Sequence, residues 1–199
     1  MIDPTRGFKA AVFDIETSSL AAIGAGVLLC VVIRPIGMGK IVTLRADEFH
    51  CHYGHEVRLL DAVMAELGKY RIWIGHNLIN FDWPWLKSRL KYFERPIPQG
   101  AFAYDTMQGF KRLGYKTVPN GWGKPSKSLG HVVDFFGIEQ EKSAIFPREH
   151  WEIVWGNTTE RKKAMDKLVD HCYADVRMTE TVFHAMIDDD QRAILKRLL

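Results

Sequence analysis

Two acidic residues follow an apolar run near the start of the chain, in KAAVFDIETSSL (residues 9–20). Side chains alternate along a β-strand, so Asp14 and Glu16 would share one face while Ile15 points to the other. Two carboxylates at the end of a buried strand lose hydration and repel each other unless a positive group lies between them. A divalent cation would meet that need. A strand that simply extends its acids into water is the alternative.

Two further segments place acids at the margin of a core. In GHNLINFDWPWL (75–86), Asp82 follows a buried strand and a short turn, at the predicted start of a helix. In DHCYADVRMTE (170–180), His171 and Asp175 are four residues apart and share one face of a predicted helix. Carboxylate oxygens suit Mg²⁺ or Mn²⁺ better than Zn²⁺. The four acids therefore predict a site for a hard divalent metal.

The elements that must position these residues are predicted from hydrophobic periodicity and turn residues. Apolar runs at 10–13, 26–33 and 40–45 predict a three-strand N-terminal meander. The following elements are a helix after Glu56, a strand over 72–77, a helix from Phe81, a strand-to-helix unit over 104–113, a helix over 128–138, a long helix capped by Asn157 and a separate helix over 188–199. Strands followed by alternating helices and strands predict an α/β fold, a mixed sheet flanked by helices.

Length and composition are typical of a soluble globular protein. The 199 residues suit a single domain over 1–199, with 47% hydrophobic and 26% charged residues. The longest apolar stretch, 26–33, is far too short for a membrane span, and the N-terminus lacks the pattern of a signal peptide. The three cysteines, Cys30, Cys51 and Cys172, are scattered and are expected to be free thiols of a cytoplasmic protein. The net charge of +3 is compatible with a polyanionic partner but does not require one.

Taken in order, the motifs resemble those of the DEDD 3′-5′ exonucleases, the proofreading-type branch of the ribonuclease H-like fold. FDIET resembles the first motif, NLINFD fits the second pattern N-x-x-x-F-D, and HCYAD occupies the position of the third, Y-x-x-x-D. YDT and KSLGHVVDFFGI occur at the expected places between the second and third motifs. The resemblance extends from Val12 to about Thr181 and implies a ribonuclease H-like sheet.

The resemblance also implies an activity and a metal site. The chain would be a 3′-5′ exonuclease that hydrolyses phosphodiester bonds with two Mg²⁺ or Mn²⁺ ions. Asp14 would bridge both ions, Glu16 and Asp175 would complete the site of the ion that activates water, and Asp82 would hold the second ion. His171 would orient the attacking water and accept its proton, for which the imidazole must be neutral.

The implied substrate is the 3′ end of nucleic acid, most simply single-stranded DNA. Thr17 would meet the terminal sugar, while Asn77, Phe81 and Trp83 would lie near the bases, where aromatic rings can stack without reading sequence. Aromatic residues at a helix start are more often part of a core, and Phe81 in particular is expected to pack beneath the site.

The third motif departs from the family pattern. The family has Tyr four residues before the last Asp or His five residues before it, whereas this chain has His171 at four and Asp170 at five. Helical geometry favours His171, because Asp170 and Tyr173 would point about 140° and 200° away from Asp175. Tyr173 as a substitute base, or a purely structural His171, are the alternatives.

Other patterns compete for a function. A possible zinc set consists of His50, Cys51, His52 and His55. Because no second ligand pair accompanies it, a solvated loop is favoured. A Gly/Pro-rich loop containing Trp122 is surrounded by the basic residues Lys111, Arg112, Lys116, Lys124 and Lys127. This loop would either follow a phosphate backbone or remain a solvated surface.

Two alternatives to a DNA exonuclease remain open. An exoribonuclease would use the same acids, and the choice of sugar depends on contacts to the 2′-OH that the sequence does not show. A catalytically inactive nucleic-acid-binding module would share the fold without the chemistry.

Overall fold

A five-stranded mixed sheet lies at the centre of the computed structural model. The strands are β1 (Ala10–Thr17), β2 (Leu28–Pro35), β3 (Val42–Arg45), β4 (Ile72–Gly75) and β5 (Phe102–Asp105), in the order β3-β2-β1-β4-β5. The pairs β1/β2 and β2/β3 are antiparallel, whereas β4 is parallel to both β1 and β5. The structure describes residues 8–24, 26–37, 39–49, 55–117, 126–139, 153 and 157–198. The predicted meander and mixed sheet are confirmed.

Five helices flank the sheet within the described residues. They are α1 (Val57–Leu67), α2 (Asp82–Tyr92), α3 (Thr106–Leu113), α4 (Leu129–Phe135) and α5 (Thr158–Leu198). The predicted α/β alternation is confirmed, and Ser128 and Gly137 flank α4 as expected. None of the described helices has an apolar stretch long enough to cross a bilayer.

The prediction of a separate terminal helix over 188–199 is wrong, because α5 is one continuous helix of 41 residues. The acids at 188–190 were interpreted as a helix start, but the chain has no Pro or Gly between 157 and 198 that would stop the preceding helix. The predicted cap at Asn157 is present: its Oδ1 accepts hydrogen bonds from the N–H groups of Thr159 and Glu160, each at 3.1 Å.

The two faces of β1 have different partners. Phe13 meets Trp73 of β4 edge-on, with ring centroids 6.0 Å apart, and Trp73 in turn meets Trp83 of α2 at 5.0 Å. Asp14 points to the opposite face, where its carboxylate lies 3.4 Å from Cys172 Sγ of α5. The acids of β1 therefore face α5, and α2 covers the other side of the sheet.

A second apolar cluster joins α3 and α4 to α5. Its buried members are Phe110, Leu129, Val132, Val133, Met178, Val182 and Met186. The main core contains residues of the same helix, among them Leu168, Cys172 and Val176. Consequently α5 belongs to both clusters, and the segment that carries His171 and Asp175 packs in the main core, just before the first α5 residue of the second cluster, Met178.

A buried ion pair fastens α2 to its surroundings. Arg89 and Glu56 form this pair with exposed fractions of 1% and 0%, and Arg89 Nη1 also donates to the carbonyl of Ala22 at 2.9 Å. Trp85 Nε1 donates to the carbonyl of Ser19 at 3.1 Å. The loop that follows β1 is therefore tied to α2 at two points.

We expect Arg89→Ala to lower the free energy of unfolding by about 3–5 kcal/mol, because it leaves Glu56 as an uncompensated buried charge. Chemical denaturation measures this loss. The matched control is Arg95→Ala, which removes an exposed pair with Asp61 (3.0 Å) and should cost less than about 1 kcal/mol. Equal losses in the two variants would contradict this account.

Candidate active site

The central strand of the sheet supplies the first two acids. Asp14 and Glu16 pair in register with Val32 and Cys30 of β2, and a bulge follows between Glu16 and Thr17. Both acids lie on the α5 face, as their spacing predicts. Pairing with β2 along this stretch holds their backbone in place, so their separation depends little on side-chain freedom.

Asp82 reaches the same place from α2. It is the first residue of that helix and is only 3% exposed. Its Oδ1 accepts a hydrogen bond of 3.3 Å from the backbone N–H of Ile15, the residue between the two acids of β1. The predicted position of Asp82 at a helix start beside the carboxyl end of β4 is therefore found in the structure.

The third contribution comes from α5. His171 Nε2 lies 3.9 Å from Glu16 Oε1. Asp170 is exposed, and Tyr173 packs against the main core with the guanidinium of Arg177 5.9 Å from its ring. Of the three side chains considered as the base, His171 is the one whose distance to an acid of β1 is short.

The four acids form one electrostatic group. Burial raises the pKa of Asp14 well above its usual value, and the charges of Asp82, Glu16 and Asp175 raise it further, against the hydrogen bond from Cys172. Burial also raises the pKa of Asp82 to about 7, with a smaller contribution from the charge of Asp105, while backbone N–H groups oppose the shift. Ionising all four acids together is thus costly without a cation.

The donor set fits a hard divalent ion. As they stand, no three His, Cys, Asp or Glu side chains of the described residues are close enough to hold one ion. The group nevertheless consists of carboxylates whose repulsion and burial raise the pKa of Asp14, and a divalent cation would relieve both effects. Cys172 is buried, and burial raises its thiol pKa, so oxygen rather than thiolate is the donor offered. Cys30 and Cys172 are free, as predicted.

Two of the predicted substrate residues follow or precede the acids closely in the chain, Thr17 at the end of β1 and Asn77 in the loop before α2. Thr17 is 8% exposed, and its hydroxyl donates to the carbonyl of Ser19 at 2.9 Å. Asn77 has a φ of 67°, and its side-chain oxygen accepts from Asn80 Nδ2 at 3.2 Å. Their roles towards substrate stay predictions.

The two predicted aromatic residues both contact the core. Phe81 precedes α2 at its N-cap and is partly buried against the main cluster, in agreement with the expectation that it packs there. Trp83 is also partly buried, and the ammonium of Lys87 lies 5.5 Å from its ring. Their contact with bases remains a prediction.

Several of the competing patterns lie outside the described residues. His50, Cys51 and His52 of the possible zinc set are among these, as are Trp122 and Lys124 of the basic loop. His55 is described and is exposed.

Sequence reasoning missed the role of Asp105. This carboxylate, 4% exposed, accepts hydrogen bonds from the backbone N–H groups of Asn77 (3.1 Å) and Ile79 (2.9 Å). It also accepts from Met107 (2.9 Å) and Gln108 (3.3 Å) at the start of α3. Asp105 therefore joins α3 to the loop that leads to Asp82. The YDT segment was the available signal, but its partners are distant in sequence.

Leu20 is a second residue that the sequence reasoning did not assign. It is 85% exposed, three residues after Thr17, in the loop tied to α2. The structure leaves this side chain in solvent, as single leucines on protein surfaces often are.

The sequence also matches a known protein family over most of its length. The family model RNase_H_2, described as RNase_H superfamily, matches residues 11–187. The chain belongs to the RNase H superfamily. This membership confirms the fold family that the motifs predicted, and the superfamily gives the chain a nuclease-type fold.

Two solved structures are similar to this RNase H superfamily protein. The family B DNA polymerase of the hyperthermophilic archaeon Pyrobaculum calidifontis has a TM-score of 0.66 and 18% identity, over 90% of this chain and 24% of that one. E. coli Exonuclease I, solved in complex with a dT13 oligonucleotide, has a TM-score of 0.61 and 12% identity, over 96% of this chain and 43% of that one. The chain thus spans less than half the length of either protein. No curated protein matches the sequence.

The raised acid pKa values predict how the stability of this RNase H superfamily protein depends on pH. The folded state binds more protons than the unfolded chain between about pH 4 and 7, so the free energy of unfolding falls as pH rises. In EDTA we expect the Tm to fall by about 5 °C or more over this range, and Asp82→Asn to reduce the fall. Differential scanning calorimetry measures both.

Adding Mn²⁺ should raise the Tm more at pH 7.5 than at pH 5.5, because the raised pKa values of Asp14 and Asp82 leave these carboxylates more fully ionised at the higher pH. Asp61→Asn, which alters an exposed acid of α1, is the control and should follow the wild type. A pH slope in Asp82→Asn equal to that of the wild type would show that Asp82 is not the buried acid responsible.

Asp105→Ala should loosen the loop at residues 76–80, because it removes the acceptor of two of the loop's N–H groups. We expect amide hydrogen exchange at Asn77 and Ile79 to become at least about ten-fold faster, which exchange mass spectrometry or NMR detects. Asp170→Ala is the control on an exposed acid of α5. Unchanged protection in Asp105→Ala would mean that these hydrogen bonds do not hold the loop.

Proposed function

We propose that the chain is a metal-dependent 3′-5′ exonuclease that releases nucleotides from the 3′ end of single-stranded DNA. The observation that carries the proposal is the convergence of acids from β1, α2 and α5 on one electrostatic group, with His171 Nε2 3.9 Å from Glu16. Membership of the RNase H superfamily supports nuclease chemistry, and E. coli Exonuclease I, solved with dT13, is similar in fold.

The metal site would use every acid of the group. Asp14, Glu16 and Asp175 would hold one divalent ion and Asp14 with Asp82 the other, with Mg²⁺ or Mn²⁺ suited to these oxygen donors. Two such ions supply an activated water and stabilise the charge on the leaving oxygen. The burial of Asp82 and its hydrogen bond from Ile15 set its position before any ion arrives, and the other acids would have to draw closer to complete the two sites.

His171 would accept the proton of the attacking water at Nε2. This atom faces Glu16, whose charge stabilises the imidazolium that forms. A neutral ring accepts at Nε2 only if Nδ1 carries the proton. Nδ1 is buried and has no hydrogen-bond partner among the described residues. The Nε2 side is consequently the one open to the chemistry.

The 3′ terminus would lie across the end of β1. Thr17 would contact the terminal sugar through its hydroxyl or backbone, and Asn77 would face the last bases from the loop before α2. Phe81 would support Asp82 from below, and Trp83 would reach a base only with the edge that its core contacts leave free. A single strand fits best because bases must be unpaired to stack or to enter such a site.

The test is digestion of matched DNA and RNA oligonucleotides, each blocked at the 3′ or the 5′ end, with Mg²⁺, Mn²⁺ or EDTA. We expect stepwise shortening from free 3′ ends of DNA that EDTA and Asp14→Ala abolish. His171→Ala should lower kcat by about 10²–10⁴-fold, the usual contribution of a positioned base. Asp170→Ala, which changes the exposed neighbour, should behave as wild type.

Three results would redirect the assignment. Oligonucleotides that bind but stay intact under every metal condition would indicate an inactive binding module. Faster shortening of RNA than of DNA would make the protein an exoribonuclease. A kcat of His171→Ala equal to that of wild type would remove His171 from the chemistry and leave the metal-bound acids in place.

A further inference from the structure

The outer face of α2 carries a shallow depression beside the loop that follows β1. Its volume is about 650 Å³. It is lined by Ile23, Pro84, Lys87, Ser88, Lys91 and Tyr92. The metal site and its acids do not use any of these residues. We refer to these six residues as the α2 surface.

Two cationic side chains, Lys87 and Lys91, lie on the α2 surface. Lys87 and Lys91 are four residues apart on one helix, and hence about 6 Å apart along its axis. Within the part of the chain that the structure describes, no carboxylate pairs with either lysine. Carboxylates of the described residues therefore neutralise neither charge, and both lysines can meet a polyanion, Lys87 from a position where its ammonium also lies 5.5 Å from the Trp83 ring.

The aromatic ring of Tyr92 lies at the C-terminal end of the α2 surface. Tyr92 is 53% exposed, and the guanidinium of Arg89 lies 4.8 Å from its ring centroid. Arg89 is itself buried and held by Glu56 and by the carbonyl of Ala22, so it supports the ring from a fixed position. Phe93 meets Tyr92 edge-on at 5.1 Å. The ring is thus held in place while about half of its surface faces solvent, as a stacking platform requires.

The α2 surface starts close to the acids. Helix α2 begins at Asp82, so Pro84 lies within its first turn. Tyr92 lies about 15 Å along the axis from Asp82. At the stacked spacing of 3.4 Å per nucleotide, that length corresponds to roughly four nucleotides. On the facing side, Ile23 is 52% exposed in the loop that Trp85 and Arg89 tie to α2.

We propose that the α2 surface binds the single strand upstream of its 3′ end, with phosphates on Lys87 and Lys91 and a base on Tyr92. The inference rests on the proposed exonuclease function and extends it to the length of strand that the enzyme holds. Cations that no carboxylate neutralises, next to a supported aromatic ring, are typical of surfaces that bind single strands without reading sequence. The strand would continue from the acids along α2 for roughly four nucleotides.

The first test compares a long and a minimal substrate. The long one is a 20-nucleotide oligo(dT), and the minimal one is the p-nitrophenyl ester of thymidine 5′-monophosphate, which has no nucleotide upstream of the scissile bond. For Lys87→Ala/Lys91→Ala we expect the ratio of kcat/KM for the long substrate to that for the minimal one to fall about ten-fold. Lys162→Ala/Lys163→Ala removes the same charge from exposed positions of α5 and should keep the wild-type ratio.

The second test measures binding without cleavage, by fluorescence anisotropy of labelled oligo(dT) with the Asp14→Ala protein in EDTA. In this protein, Lys87→Ala/Lys91→Ala removes two phosphate contacts and should reduce the magnitude of the slope of log K against log salt by about 1.4. Tyr92→Ala should weaken binding about five-fold or more, whereas Tyr92→Phe keeps the ring and should bind as the parent does.

The outcomes separate this inference from the proposed function. In one outcome, the wild type cleaves stepwise while Lys87→Ala/Lys91→Ala has the same substrate ratio and salt slope as Lys162→Ala/Lys163→Ala. That result would overturn the role of the α2 surface and leave the proposed exonuclease function in place. Binding that responds to Lys87, Lys91 and Tyr92 in a protein that cleaves nothing would support the α2 surface and overturn the exonuclease. Equal losses of kcat/KM on both substrates would also overturn the inference, since they would indicate damage at the acids.

Discussion

The repulsion among carboxylates collected at one edge of a buried strand is the constraint on which this structure depends. Burial and three neighbouring charges raise the pKa of Asp14, and burial raises that of Asp82 to about 7. A fold that only maximised its stability would have apolar residues at such positions. The acids thus represent stability given up locally, as functional sites commonly do.

A different kind of interaction positions each group of site residues. Pairing within the sheet fixes Asp14 and Glu16, the four backbone hydrogen bonds of Asp105 hold the loop before Asp82, and packing in two clusters fixes α5. These interactions share no side chain. The relative positions of the acids therefore rest on the backbone of three separate elements, which favours the reproducible geometry that a functional site needs.

Local pattern was enough to predict the parts of the site that depend on one element. The alternation along β1 placed Asp14 and Glu16 together, and the four-residue spacing on α5 selected His171 over Asp170. What depends on distant residues was not visible: Asp105 meets Asn77 across 28 positions, and Tyr92 acquires its support only because Arg89 is held by Glu56 across 33. The continuous α5 was missed for another reason, since acids that favour a helix start do not by themselves end the helix before them.

The membership of α5 in both apolar clusters has a consequence for cooperativity. The main core holds Leu168, Cys172 and Val176 around His171 and Asp175, and the second cluster begins at Met178, so this segment cannot open without breaking contacts in the main core. Fluctuations there should cost nearly as much free energy as unfolding the whole domain. The two cores would accordingly melt as one unit, and local opening would be confined to segments outside them.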